Sequence, residues 1–469
     1  MTTVVPSSPS PLPGRRTNAA VRASAGWRRI ERYIKRKLLW SRFFRTHSYM
    51  RSALWTIPFV AIVLVLAVTP SLRKLDELLG WRISGLGAAG AQSLYETTIT
   101  LTLSFLVFTF GSLLVAIQIA GGQLTPRIIA TTLLRDNVVR YSVGIFVFTL
   151  LLAVMGLNRV ETKVWDLATI LTAALAVGCM ATFLFLIDHA ARLLRPISIV
   201  GHVGDEGLAV IETVYPRLAP DPTSASDDAP AMREPPLRVV THEGKCEIVL
   251  AVDLETLVDA ARRADGIVEF VPQVGDFVAS GEPIFALHGA AARIDDRTLR
   301  AAVAFGGERT MEQDPLFAFR ILVDIALKAL SPAINDPTTA VVAIDQIHRL
   351  LREVGKRDLH REDVADGKGG TRVIFRTPNW EDFVQLACTE IRNYGAGSVQ
   401  VARRLQSMLV NLTATLPDYR GAALEQERDR LNRALPGLYD LPDDLALART
   451  PDLQGLGAPM RQPRAHSVP

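Results

Sequence analysis

Four apolar runs follow one another early in the chain, and nothing else in the sequence constrains the fold as much. They are ALWTIPFVAIVLVLAV at 53–68, TTITLTLSFLVFTFGSLLVAIQIA at 97–120, VVRYSVGIFVFTLLLAVMGL at 138–157 and LATILTAALAVGCMATFLFLI at 167–187. A bilayer-spanning helix needs roughly 20 apolar residues. The last three runs reach that length, and the first is extended by flanking residues from about Tyr49. A single such run can be a buried core helix, but four in succession predict a four-helix membrane domain.

Lys and Arg placement gives an expected orientation. Arg22, Arg28, Arg29, Arg32, Lys35, Arg36, Lys37, Arg42, Arg45 and Arg51 crowd one stretch, opposed by Glu31 alone. Such a flank stays in the cytoplasm. Four spans then return the chain to the same side at Asp188, and Arg192 and Arg195 follow directly. The loop at 69–96 also carries Arg73, Lys74 and Arg82, so the charge signal is uneven. The expectation is a multi-pass membrane protein with both termini cytoplasmic. WRRIERYIKRKLLWSRFFR at 27–45 interleaves Arg and Lys with Trp27, Ile30, Ile34 and Leu38 at helical spacing. That pattern suits a helix on anionic headgroups; a basic flank that only orients the first span fits it too.

Composition agrees with a split chain. Of 469 residues, 49% are apolar and 21% charged, with a mean hydropathy of +0.20. The net charge of +4 is a local patch and predicts no nucleic-acid surface. Cys179, Cys246 and Cys388 are far apart, which argues against a disulfide framework or a thiolate zinc site.

The expected organisation is a disordered tail and basic juxtamembrane helix at 1–46, a four-helix transmembrane domain at 47–190, and a connecting helix with a Pro-rich linker at 191–236. A small β-barrel-like module at 237–292, a helical domain at 293–440 and a disordered tail at 441–469 complete it. The fold class is thus a polytopic α-helical membrane domain followed by a cytoplasmic α+β region. VGDFVASGEPIFAL resembles half of a biotinyl/lipoyl-like hammerhead. No lysine lies between 266 and 288, so a carrier role is not expected of it.

Two groups of polar residues are candidate sites. In the second span, Thr98, Thr102, Thr109 and Ser112 fall on one helical stripe. Thr100, Ser104, Gly111 and Gln118 fall on another. Either stripe can line a pore or pack against neighbouring helices. Gln123 and Arg127, in AGGQLTPRI, lie at the membrane exit and can contact lipid or ligand. No Asp, Glu, Lys or Arg lies deep in spans two to four, which counts against a proton-coupled transporter.

The other group surrounds ALKALSPAINDPTTAVVAID. Asp314-Pro315 and Asp336-Pro337 each read as an N-cap followed by proline at the first helical position. Pro332 stops the first of the two helices. Asn335 fits less readily, either as a left-handed turn residue or as an amide bonded to another segment. Glu308, Arg309, Asp314 and Asp324 could converge on Asn335 and Asp336, making the joint a polar site. The sequence has no HExxH, GxSxG or P-loop, and GKGGT at 367–371 lacks the upstream glycine. We expect no enzyme, no metal site and no cofactor.

QIAGGQLTPRI, ERTMEQDPLFAFRILVDIALKALSPAINDPTTA and the Phe383–Arg404 helix resemble the domain-of-unknown-function 2254 family of bacterial predicted membrane proteins. The resemblance spans roughly 45–435. Members often carry Phe after the Asp-Pro and Ser before the Pro-Arg, where this chain has Thr338 and Thr125. The resemblance implies a topology and no activity. The functional expectation is an oligomeric, channel-like or transport-related protein, the alternative being a membrane-anchored sensor or scaffold for a ligand or partner.

Overall fold

A computed structural model describes residues 55–79, 85–123, 136–160, 164–193, 195–219, 235–359, 363–365 and 370–457. The basic segment at 27–45 and Arg127 lie outside them, as does most of the 221–236 linker. Helices α1 (Thr56–Leu79), α2 (Ala88–Gln123), α3 (Asn137–Leu157) and α4 (Asp166–Leu193) are each long and apolar enough to cross a membrane. Their outer faces expose Val107, Leu114, Val177 and Leu184. Such a surface suits lipid, because hydrocarbon imposes no penalty on it.

Inside the bundle, α3 packs against α1, α2 and α4. Phe105 stacks on Phe183 at 4.3 Å between ring centres and leans on Phe146. Charged groups pair near the helix ends. Asp136 caps α3 by accepting from the Val139 N–H at 2.9 Å, and its other oxygen meets His189 Nε2 at 2.9 Å. Arg140 donates to Thr56 Oγ1 at 2.6 Å.

The connection expected at 69–96 is mostly helix. α1 continues past Pro70 to Leu79 and α2 begins at Ala88. The Thr69 hydroxyl donates to the Val65 carbonyl and Ser71 to Ala67, on either side of the proline. Arg73 and Glu77 pair one turn apart at 2.9 Å, and Asp76 accepts from the Leu167 N–H at the start of α4.

Directly after α4 comes α5 (Pro196–Val214). It is no mere connector. Ile199, Val200, Val203 and Ile211 are buried in the largest hydrophobic core, with α8 (Pro315–Ala329), α9 (Pro337–Gly355), α10 (Trp380–Gly395), α11 (Val399–Thr415) and α12 (Gly421–Ala434). A Cβ on Gly207 would lie 2.9 Å from Ala318 and 3.1 Å from Leu350. Glycine therefore permits the close approach of α5 to α8 and α9.

The β part contains β1 (Arg238–Thr241), β2 (Glu247–Val252), α6 (Leu254–Ala264), β3 (Gly266–Phe270), β4 (Phe277–Val278), β5 (Pro283–Gly289), α7 (Asp296–Ala301) and β6 (Val303–Gly306). Two further strands, β7 (Asp363–Ala365) and β8 (Thr371–Phe375), come from the segment between α9 and α10. One sheet has the order β1-β5-β3-β8-β7 and the other β4-β2-β6. The expected boundary at 292 therefore does not hold. β6 pairs with β2, with Val249 opposite Phe305. β8 runs parallel to β3, with Val268 beside Val373 and Phe270 beside Phe375. α6 packs across β3 and β8, burying Leu257 and Ala261 against Val268 and Val373.

The tail expected to be disordered from 441 is folded as far as 457. α13 (Pro442–Arg449) lies against α11. Arg403, fully buried, donates from Nε to the Thr450 carbonyl and from Nη1 to the Gly457 carbonyl at 2.7 Å. Asp452 accepts from the Gln454 and Gly457 N–H groups. A buried arginine must be bonded, and these carbonyls fix the strap. Residues 458–469 lie outside the described residues.

Candidate functional site

The candidates around the SPAINDP joint do not converge. α8 has 15 residues and is about 22 Å long at 1.5 Å per residue. Asp314 caps its start, while Asn335 lies beyond its other end. The joint is accounted for by backbone chemistry. Asn335 is left-handed at φ 49°, and its N–H donates to the Ser331 carbonyl at 2.9 Å. Asp336 caps α9 by accepting from the Thr339 N–H at 3.1 Å, and its own N–H donates to Ala329. Asn335 is exposed. Asp324, halfway along α8, pairs with Arg320, which also reaches Glu390 on α10. Those carboxylates hold the Arg320 guanidinium above its ordinary range. Glu308 is exposed.

The start of α8 is different, because three helices begin around the same place. β3 and β8 are parallel, so their carboxyl ends lie together, where ligands sit in many open sheets of parallel strands. α6 precedes β3 and starts at Asp253, whose carboxylate accepts from the Thr256 N–H at 3.0 Å. α8 starts at Asp314, whose Oδ1 accepts from the Phe317 N–H at 3.2 Å. α10 follows β8 and starts at Asn379, in a reciprocal cap with Asp382. The C-terminal end of α5, at Thr213 and Tyr215, closes the site.

These ends enclose a cavity of about 490 Å³, within the range of small-molecule sites. Val252, Leu254, Phe270, Val274, Pro315 and Phe375 supply apolar wall. Gln313 ties the site to β2, its Oε1 accepting from the Val252 N–H at 2.9 Å. Glu255 and Arg376 are exposed on the lining, and neither forms an ion pair among the described residues.

Asp314 is the unusual member. It is 5% exposed, and its Oδ2 accepts no hydrogen bond among the described residues. Arg309 Nε is 4.0 Å from that oxygen and is already bonded to the Gly275 carbonyl at 2.8 Å. Burial pushes the carboxyl up to about 6; Arg309 and the Phe317 N–H offset this only in part, and Asp276 adds to it. Burial and the Asp314 charge push the Tyr215 phenol well above its ordinary range. Gly275 has φ +93°, and an added Cβ would strike Asp314 Oδ2. A glycine is therefore required beneath the carboxylate.

In the second span, the two polar stripes face opposite ways. Thr98, Thr102 and Thr109 are buried within the bundle and Ser112 is half-buried. Thr98 donates to the Leu94 carbonyl, Thr102 to Thr98 and Ser112 to Thr109. Thr109 Oγ1 has no hydrogen-bond partner among the described residues. Thr100, Ser104, Gly111 and Gln118 face outward. Gln123 is the last residue of α2.

Asp314 and Arg309 were legible beforehand, Asp314 both as a cap and, with Arg309, as a candidate for a polar site around Asn335. Tyr215, Glu255, Gln313 and Arg376 were not singled out, because the parallel pairing of β3 with β8 leaves no mark in a single sequence.

The architecture defines a class, a helical protein with four candidate membrane spans joined to an α+β part that holds a cavity. The chain belongs to the DUF2254 family of predicted membrane proteins, whose model matches residues 51–411. It is 26% identical over 389 residues to uncharacterised proteins of Mycobacterium tuberculosis and Mycobacterium bovis, covering 77% of this chain and 72% of each relative. No solved structure matches it.

Proposed function

We propose that this protein is a non-enzymatic, membrane-anchored sensor that holds a small ligand in the cavity at the carboxyl ends of β3 and β8. The observation that carries this is the cavity itself, about 490 Å³, apolar in much of its wall, with Glu255 and Arg376 exposed on its lining and Asp314 buried beside them. The cavity touches Tyr215 at the end of α5, and α5 begins at Pro196, shortly after α4 ends at Leu193. Occupancy thus has a short mechanical route to the bundle. In this reading the protein sits in the bacterial inner membrane with the α+β part and both termini in the cytoplasm. Residues 27–45 lie on anionic headgroups, and the hammerhead-like β segment serves as scaffold.

Purified full-length protein in detergent tests the reading. An apolar, environment-sensitive dye should bind, and Val274→Trp, which fills the cavity, should abolish the signal. A metabolite panel should also raise the unfolding temperature; a ligand at 100 times its Kd adds about 2.7 kcal/mol. Dye binding indifferent to Val274→Trp, with no metabolite response, would sink it.

The second reading, an oligomeric channel-like or transport-related protein, is favoured by Thr100, Ser104, Gly111 and Gln118 on the outward face of α2. In lipid such a stripe is best covered by another helix. Ion or solute flux in liposomes, altered by Gln118→Leu, would support it; tight liposomes under all gradients would count against it.

A further inference from the structure

The helical domain exposes its large apolar side chains unevenly, and most of them lie at the end where the chain leaves α4. We propose that this end of the domain rests on the bilayer surface, with Ile197, Tyr394, Leu438, Leu441, Leu453 and Leu456 set among the lipid headgroups. The inference rests on α1–α4 crossing a membrane and is independent of the ligand cavity.

Packing fixes which end this is. α4 ends at Leu193 and α5 begins at Pro196, and three peptide steps span at most about 11 Å. The first turn of α5 is therefore at the membrane surface. Gly204 lies against Gln346, Gly207 lies against Leu350, and the Tyr215 carbonyl accepts from Arg357. α5 and α9 thus run side by side in the same direction. Counting back from Gly204 to Pro196 brings α9 to Thr338, in its first turn. The SPAINDP joint is level with the exit from α4. Gly395, at the end of α10, packs on Leu330 just before the joint. Tyr439 donates to the Ala396 carbonyl at 2.8 Å. Gly455 of the strap lies against Val341, and its carbonyl accepts from Gln400 at 2.7 Å. One layer therefore collects the start of α5, the joint, the turn between α10 and α11, and the strap.

The six apolar side chains belong to that layer or lie within two residues of its contacts. Tyr394 is 74% exposed, Leu456 71% and Ile197 66%. In the rest of the helical domain, among the described residues, the exposed side chains of this kind are Leu218, Val410 and Tyr419. Clustered apolar exposure marks an interaction surface, and the short link from α4 makes the bilayer the surface it meets. α5 itself stands away from the lipid. Its outer face carries Asp205, Ala209 and Glu212, unlike the basic and apolar faces of a helix lying on a membrane. Exposed charge at the end of the domain is mixed, Arg195 and Lys328 against Asp440, Asp443 and Asp444. The attachment is therefore apolar, with tyrosine at headgroup level, and calls for no anionic lipid. The exposed Pro332, Ala333, Asn335 and Thr338 then give the SPAINDP joint a place, as a turn facing the membrane.

Full-length protein in nanodiscs tests this. Cys246→Ser removes the exposed cysteine, and Tyr394→Cys, Leu441→Cys or Leu456→Cys in that background carries a fluorophore. A lipid with a nitroxide on its headgroup should quench all three at least about threefold more strongly than Leu218→Cys, which the 19 residues of α5 set about 28 Å further along at 1.5 Å per residue. Quenching should be equal in zwitterionic and anionic nanodiscs. The unmodified chain gives a readout that needs no variant to fold. A lipid with a photoactivated diazirine on its headgroup should tag the peptides bearing Tyr394 and Leu456 and spare the one bearing Leu218.

Labels quenched no more than at Leu218→Cys and open to aqueous iodide overturn the inference. Labels shielded from both iodide and lipid nitroxide, with crosslinks between copies, overturn it in favour of a second copy as the occupant. Quenching confined to anionic nanodiscs overturns the apolar attachment. Tyr394 and Leu456 peptides left untagged in the unmodified chain overturn it whatever the variants show.

Discussion

Two buried carboxylates in the α+β part are treated in opposite ways. Glu427 on α12 is 2% exposed and accepts from Arg392 Nε at 2.7 Å and from Arg430 Nη1 at 3.2 Å. Asp314 is 5% exposed, accepts one backbone N–H on one oxygen and leaves the other without a hydrogen bond. The first sits in a packed helical core, where Cys388 is also buried and its thiol is pushed up by burial and then by the Glu427 charge. The second sits on a cavity. A completed network belongs to the architecture. An incomplete one is retained at a cost in stability, and such costs concentrate where a protein binds something.

The comparison predicts opposite signs for two conservative changes. The larger effect falls on the satisfied carboxylate. Breaking a buried ion pair by removing one partner costs roughly 3–5 kcal/mol. Glu427→Gln should therefore lower the unfolding midpoint of the full chain steeply in a denaturant titration. A loss under about 1 kcal/mol would mean that the two sites do not differ as described.

Next in size is Gly275→Ala. The substitution strains a backbone at φ +93° and drives a methyl group against Asp314 Oδ2. A loss of about 1–3 kcal/mol is expected, together with weakened dye binding. Full stability with normal binding would show that the carboxylate can move aside, and the cradle argument would fail.

Asp314→Asn should go the other way. The native carboxyl titrates at about 6 rather than 3.8, so between those values the folded chain holds more protons than the unfolded one. Stability contributed by this group is therefore greatest at low pH and is lost as pH rises toward 6. The shift corresponds to about 3 kcal/mol at most. Asn removes the penalty and keeps the cap, so the variant should melt higher at pH 8. The gain should shrink as pH falls from 6 to 4. A variant less stable than the parent at pH 8 would reverse the sign and with it the contrast with Glu427.

How much of this was legible depends on the range of the interaction that decides it. The four spans could be read because a bilayer imposes a length on a local run. Asp314 and Asp336 could be read as caps because capping acts over three residues. What escaped was non-local. β8 follows a charged, Gly-rich stretch and pairs with β3, about a hundred residues earlier in the chain. The strap after Leu441 looks loose by composition and is held by Arg403 from α11. The cavity inherits this difficulty, since Tyr215, Glu255, Asp314 and Arg376 come from four separate stretches. The convergence expected at Asn335 failed for the converse reason. Neighbours in sequence were set at opposite ends of a rigid 15-residue helix.

The smallest effect is expected in the bundle, and it extends the comparison into the membrane. Thr102 is fully buried, yet its hydroxyl donates to the Thr98 carbonyl at 2.7 Å within its own helix. Nothing across the bundle depends on that proton. Thr102→Val keeps the shape and removes only a local bond, so unfolding should move by less than about 0.5 kcal/mol, below the typical interhelical hydrogen bond. Ligand-induced stabilisation should be unchanged. Thr109, whose Oγ1 has no hydrogen-bond partner among the described residues, provides the internal control. If the inward stripe is packing alone, Thr109→Val should also be silent in liposome flux. Altered conductance from either change would turn that stripe from packing into a path, and the polar groups of the bundle would then join Asp314 on the functional side of the comparison.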